Sequence, residues 1–236
     1  MDGVIALVGS GEFTPAMAEV DRGLLAATGR ERPKVAIVPT ASWPDGEPVF
    51  LRWAAQGETH FAGLGAEPVP VLIHDRATAD DPAAAAAIGD ADLIYFSGGK
   101  PNHLLEALRD SAAGTALREA HARGAVIAGC SAGAMVLGAH QLRMGGRGFL
   151  QPPVGWQDGL GLVPRLVIVP HYDAFPETLV LPLALAVPDG ALVVGIDEET
   201  ALVGRDGTWQ VQGRGRITIW RGSRRERHRS GTTVTF

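Results

Sequence analysis

Along this chain, short apolar runs rich in β-branched residues alternate with longer stretches of helical pattern. Strands separated by helices pair in parallel, so the pattern predicts an α/β fold with a mostly parallel sheet covered by helices on both faces. Strands are read at Val4–Val8, Val35–Val38, Val69–Ile73, Leu93–Phe96 and Val126–Ala128. Helices are read from Thr14-Pro15 to Thr28, over Pro48–Leu64, from Asp81-Pro82, over Asn102–Arg109 and over Thr115–Arg123. The Gly- and Pro-rich stretch Gln141–Gly161 reads as a loop. Leu166–Val169 then resumes the sheet, Glu177–Val187 is weakly helical, and Leu192–Ile196 is a further strand. Thr208–Val211 and Ile217–Trp220, after the turn Arg205-Asp206-Gly207, read as antiparallel edge hairpins.

The 236 residues fit one large domain over residues 1–236, with 205–236 as a C-terminal β-hairpin extension. A composition of 46% hydrophobic and 20% charged residues excludes a disordered or collagen-like chain. With Cys130 alone, an internal disulfide and a CxxC metal or redox site are excluded, and a cytoplasmic location is expected. The opening MDGVIALVGSG lacks a basic leader region, and its apolar run is too short for a membrane span. A net charge of −5 argues against a nucleic-acid surface across the whole molecule. All basic residues except Lys34 and Lys100 are arginine. Seven arginines between Arg214 and Arg229 offer an anionic-partner site or, the preferred reading, a solvated edge that blocks strand pairing.

Gly129-Cys130-Ser131-Ala132-Gly133 is a G-x-S-x-G sequence between a strand and a helix, the context that makes Ser131 a candidate nucleophile. The amide of Ala132, at the helix N-terminus, would face a developing oxyanion. Cys130 competes as nucleophile, but a pattern centred on it lacks both outer glycines, and a small buried apolar residue is the alternative. In Ser97-Gly98-Gly99, after another strand, two glycines let backbone amides approach a substrate, which makes Gly99 the second oxyanion candidate. An ordinary strand-to-helix turn is the plainer alternative. Of seven histidines, His60, His121 and His140 are read as surface residues. His171 closes an apolar run and so belongs at the carboxyl end of a strand, the rim where ligands bind in open α/β sheets. Gly195-Ile196-Asp197-Glu198-Glu199-Thr200 brings acids to that rim to orient an imidazole. No metal-ligand spacing, Walker sequence or dinucleotide fingerprint is present.

AIVPTAS at Ala36–Ser42, Phe96-Ser97-Gly98-Gly99, AGCSAGA at Ala128–Ala134, Val169-Pro170-His171-Tyr172 and GIDEETA at Gly195–Ala201 together resemble the S51 serine peptidases, the family of cyanophycinase and dipeptidase E. The resemblance implies a flavodoxin-like sheet related to class I glutamine amidotransferases. It implies Ser131 as nucleophile, His171 as base, Gly99 and Ala132 as oxyanion donors, and no cofactor. It also implies Glu198 as the acid in the cyanophycinase-like branch, whereas the dipeptidase-like branch takes its acid from a loop after the nucleophile. Residues 141–157 hold no Asp or Glu, which favours Glu198 over Asp158 and Asp173. Cyanophycinase-like members follow their histidine with an Arg/Gly-rich motif, yet Tyr172–Thr178 carries no basic residue.

The expected activity is cleavage of a small aspartyl or isoaspartyl peptide. Lys100, beside Gly99, offers an ammonium for a substrate carboxylate, although a solvent-facing Lys without a role is the alternative. Asn102 and His103 offer further polar contacts. Two rivals remain open, an esterase or amidase on a non-peptide substrate and a binding protein that has lost catalysis. Neither a nucleic-acid nor a membrane partner is expected, and a homodimer is left open.

Overall fold

The computed structural model describes residues 2–144 and 153–236. In chain order the first half comprises β1 (Ile5–Val8), α1 (Ala18–Ala27), β2 (Lys34–Val38), α2 (Glu47–Gly63), β3 (Glu67–Pro70), α3 (Arg76–Ala79), α4 (Pro82–Gly89), β4 (Leu93–Phe96), α5 (Pro101–Leu108) and α6 (Ala112–Ala122). There follow β5 (Val126–Cys130), α7 (Ala132–Leu137), β6 (His140–Met144), β7 (Pro153–Asp158), β8 (Leu166–Val169), α8 (Glu177–Leu185) and β9 (Leu192–Ile196). The chain closes with β10 (Thr200–Arg205), β11 (Thr208–Gly213), β12 (Arg216–Arg221), β13 (Arg224–Arg229) and β14 (Thr233–Thr235).

The fold is α/β with a mixed main sheet. Its eight strands run in the order β14-β11-β10-β1-β5-β4-β2-β3, parallel from β1 to β3 and antiparallel from β1 to β14. Every residue of β1, β4 and β5 is buried, as continuous apolar runs covered on both faces require. Alternation divides them: Leu7, Ile94, Phe96 and Ile127 enter one core, while Ala6, Val8, Tyr95, Ala128 and Cys130 enter the core under α1 and α2. That period places Cys130 inward on the second face.

Leu166–Val169 does not extend this sheet. With Leu192–Ile196 it forms the parallel part of a second sheet, ordered β13-β12-β9-β8. Leu166, Ile168, Val194, Ile196, Ile217 and Ile219 join the first core, so the two sheets share one apolar interior. That shared interior brings the ends of β5 and β8 to a common rim. Residues 205–236 are divided between the sheets, β11 and β14 in the larger, β12 and β13 in the smaller.

Local chemistry moved several boundaries. The first helix begins at Ala18 because the Thr14 hydroxyl closes a turn onto the Gly11 carbonyl at 2.6 Å instead of capping. Asp81 does cap α4, accepting the Ala83 amide at 2.8 Å with Pro82 in the first turn. The edge strand β3 sits earlier than Val69–Ile73, where its prolines are tolerated beside β2 alone. Gln141–Gly161 is not simply a loop, since His140↔Asp158, Gln141↔Gln157 and Leu142↔Trp156 pair antiparallel; residues 145–152 of that reading lie outside the described residues. His121 is buried with Nε2 3.0 Å from the Gly3 carbonyl, and His60 is largely covered and paired with Asp21, so neither is the surface residue expected. Among the described residues no helix is long and apolar enough to cross a membrane.

Candidate active site

The chain leaves β5 through Ser131, which has φ +51° and ψ −109° before α7 begins at Ala132. Positive φ is costly for a residue with a side chain, and such strain concentrates at functional positions. The turn closes because its flanks are small: a Cβ on Gly129 would stand 2.5 Å from the Gly133 carbonyl oxygen, and one on Gly133 2.6 Å from that of Phe96. Ser131 is only 6% exposed, yet its Oγ lies 2.9 Å from Nε2 of His171. His171, at φ +51°, turns the chain sharply just after β8.

The other ring nitrogen, Nδ1, lies 2.8 Å from Oε1 of Glu198 in the turn between β9 and β10. That turn is fixed from three sides. Asp173 Oδ1 accepts the Glu198 amide at 2.9 Å, the Thr200 hydroxyl donates to the Glu198 carbonyl at 3.0 Å, and Glu199 takes φ +51°. Asp173 therefore supports the backbone of Glu198, and Asp158 lies against His140 at 3.1 Å. Of the three acids weighed, Glu198 is the one hydrogen-bonded to His171.

The turn after β4 approaches the same serine. A Cβ on Gly98 would lie 3.7 Å from Ser131 Oγ, and one on Gly99, which has φ +142°, would lie 2.3 Å from the Ala41 carbonyl oxygen. Among the described residues, the amides of Gly99 and Ala132 have no hydrogen-bond acceptor. For Ala132 this follows from its place in the first turn of a helix, whose amides lack intrahelical partners.

Residues 5–212 match the sequence model of peptidase family S51. The chain belongs to peptidase family S51. Cyanophycinase from Trichormus variabilis (strain ATCC 29413 / PCC 7937) is 30% identical over 222 residues, covering 91% of this chain and 72% of its own. A peptidase from an acI-B1 Actinobacterium has a crystal structure that matches with a TM-score of 0.88 at 31% identity, covering 100% of this chain and 98% of that one. A putative peptidase E from Listeria monocytogenes EGD-e shares the fold, at TM-score 0.61 and 19% identity over 90% of this chain and 99% of that one.

In this S51 peptidase Cys130 is fully buried, and its thiol donates to Glu12 Oε2 at 2.9 Å. Burial first, and then the neighbouring Glu12 charge, push the thiol well above its ordinary range, which opposes the thiolate a nucleophile requires. The Lys100 ammonium lies 3.1 Å from Asp45, with both side chains more than a third exposed. Asn102 Oδ1 accepts from Gln157 on β7 at 3.0 Å, and His103 Nε2 lies 2.8 Å from the His74 carbonyl. At the arginine edge, Arg225 and Arg227 both pair with Glu177, Arg214 with Glu199 and Arg216 with Asp197. Among the described residues no three His, Cys, Asp or Glu side chains are grouped to hold a metal ion.

Glu12 was overlooked in the sequence. The same signal that picked out His171 applies to it, because an acid four residues past a buried central strand arrives at the carboxyl rim.

Proposed function

We propose that this S51 peptidase is a serine dipeptidase that cleaves small aspartyl or isoaspartyl peptides through Ser131, His171 and Glu198. The supporting observation is the continuous run of contacts from Ser131 Oγ through both ring nitrogens of His171 to Glu198, at 2.9 and 2.8 Å. In this reading Ser131 Oγ attacks the scissile carbonyl carbon while His171 Nε2 takes the hydroxyl proton. Charge gathers on the carbonyl oxygen, between the amides of Gly99 and Ala132. Collapse breaks the C–N bond, and His171 returns the proton to the leaving amine. Water, deprotonated by the same ring, then releases the acyl group from Ser131. Glu198 holds the ring in one tautomer and stabilises the imidazolium.

Lys100 supports the acidic substrate. Its exposed pair with Asp45 is a weak contact, worth at most about 1 kcal/mol, so a substrate carboxylate competes readily for the ammonium. Cyanophycin is the second reading, favoured by the similarity to cyanophycinases and opposed by the absence of a basic residue in Tyr172–Thr178. A panel of acidic, isoaspartyl and neutral dipeptides together with cyanophycin, assayed for wild type and Ser131→Ala, decides between them. The proposal expects acidic dipeptides to lead and Ser131→Ala to be inactive. Release of β-Asp-Arg from cyanophycin as the fastest reaction replaces it with the second reading.

A further inference from the structure

We infer that Glu12 is a positioning residue for the reaction, setting the Gly98-Gly99 turn against Ser131 from beneath the active site; the inference rests on the Ser131 hydrolase reading. The argument begins in the turn after β1. Gly11 has φ +84° and Phe13 has φ +61°. Glycine adopts this conformation freely, whereas for a bulky aromatic residue it is a true outlier that the surroundings must enforce. Phe13 is held by rings: Tyr95 at 5.1 Å, Phe61 and His60 at 6.0 Å and Trp53 at 6.2 Å between centroids. Clamped there, the turn sends Glu12 inward, leaving it 8% exposed.

The two carboxylate oxygens then serve two different strand ends. Oε1 accepts the Gly98 amide at 2.7 Å, after β4, and Oε2 accepts the Cys130 thiol at 2.9 Å, at the end of β5. Each contacted residue directly precedes one that the proposed chemistry uses, Gly99 and Ser131. Gly98 has no room for a side chain, since a Cβ would lie 2.9 Å from Glu12 Oε1 and 3.3 Å from Ser131 Cβ. A buried acid thus joins the proposed oxyanion turn to the proposed nucleophile turn. A donor for an oxyanion must be fixed before charge develops, so loosening this link affects the transition state more than substrate binding.

The test compares Glu12→Ala, Glu12→Gln and Ser131→Ala, using kcat and KM on an aspartyl dipeptide and the rate at which a fluorophosphonate modifies Ser131. In that reaction Oγ bonds to phosphorus, fluoride leaves and His171 takes the proton, so the rate reports the site without a natural substrate. Glu12→Ala should lower kcat and the labelling rate about 100-fold, in the range for losing one oxyanion donor, with KM held within about threefold. Glu12→Gln keeps an oxygen for the Gly98 amide and should stay within about tenfold of wild type. If Glu12→Ala does not fold, Glu12→Asp replaces it: one methylene shorter, it cannot span both partners, and kcat should fall at least about tenfold. A wild-type kcat in Glu12→Ala or Glu12→Asp overturns the inference. So does a Gln variant as impaired as the Ala variant with KM rising in step, the pattern of a merely structural acid. Turnover surviving in Ser131→Ala overturns the hydrolase reading instead, which separates the two failures.

Discussion

Replacing Glu198 by Gln should lower kcat roughly 30- to 150-fold and leave KM nearly unchanged, a smaller loss than a buried triad acid gives. The magnitude follows from exposure. When His171 becomes positively charged, its partner is a carboxylate whose Oε1 lies 2.8 Å from Nδ1, with the Glu198 side chain 50% and the His171 side chain 27% exposed. Two unit charges about 4 Å apart attract by about 1 kcal/mol in water and about 4 kcal/mol near a protein surface. A half-solvated pair belongs between, at about 2–3 kcal/mol, and each 1.36 kcal/mol is a factor of ten in rate. A fully buried acid would cost about 10⁴-fold. Gln keeps an oxygen toward the ring but cannot neutralise the imidazolium, so the loss should appear in kcat, measured by steady-state kinetics on an acidic dipeptide. Asp173→Asn keeps an acceptor for the Glu198 amide and should stay within about threefold of wild type. A Glu198→Gln variant at wild-type rate, or an Asp173→Asn variant that loses more, would refute the assignment of the acid.

Cys130→Ala should stay active at a reduced rate, because the thiol faces Glu12 in the core and its loss removes one Glu12 contact without removing the nucleophile; complete loss of turnover with intact thermal unfolding would contradict this. Lys100→Ala should lower kcat/KM for acidic dipeptides well beyond the loss on neutral ones, and equal losses on both would remove Lys100 from substrate recognition. Gly99→Ala should unfold at markedly lower temperature, since its Cβ would lie 2.3 Å from the Ala41 carbonyl oxygen at φ +142°; an unchanged Tm would contradict the geometry. Burial raises the pKa of Asp21 above its ordinary 3.8, so the folded state binds this proton more tightly than the unfolded one. Its contribution to stability therefore falls as pH rises from 3.8 through the raised value. Asp21→Asn should flatten that fall in chemical denaturation, and an unchanged slope would count against it.

The parallel strands were legible because IALV and LIYF are apolar throughout, the mark of a strand covered on both faces. Which strands share a sheet was not, because Leu166–Val169 carries the same signature and its partner is decided by long-range packing. The β6–β7 pair was hidden by Gly and Pro between its strands, and its facing residues include His140, Gln141 and Gln157, which carry no apolar alternation. That Ser131, His171 and Glu198 each follow a strand could be read from the sequence; that they meet depends on two sheets, since β5 lies in one and β8 and β9 in the other, and their shared interior brings those ends together. The surface reading of His121 failed because a helix face turns inward or outward according to its neighbours, here the Gly3 carbonyl. Glu12 lay in a turn whose strain at Phe13 arises only once four rings surround it.

Mass spectrometry of the protein after fluorophosphonate treatment, with peptide mapping of wild type, Ser131→Ala and Cys130→Ala, tests the central claim most directly. One adduct per chain on Ser131 is predicted for wild type and Cys130→Ala, and none for Ser131→Ala. An adduct persisting in Ser131→Ala, or a wild-type protein that turns over dipeptides while Ser131 stays unmodified, would contradict the account.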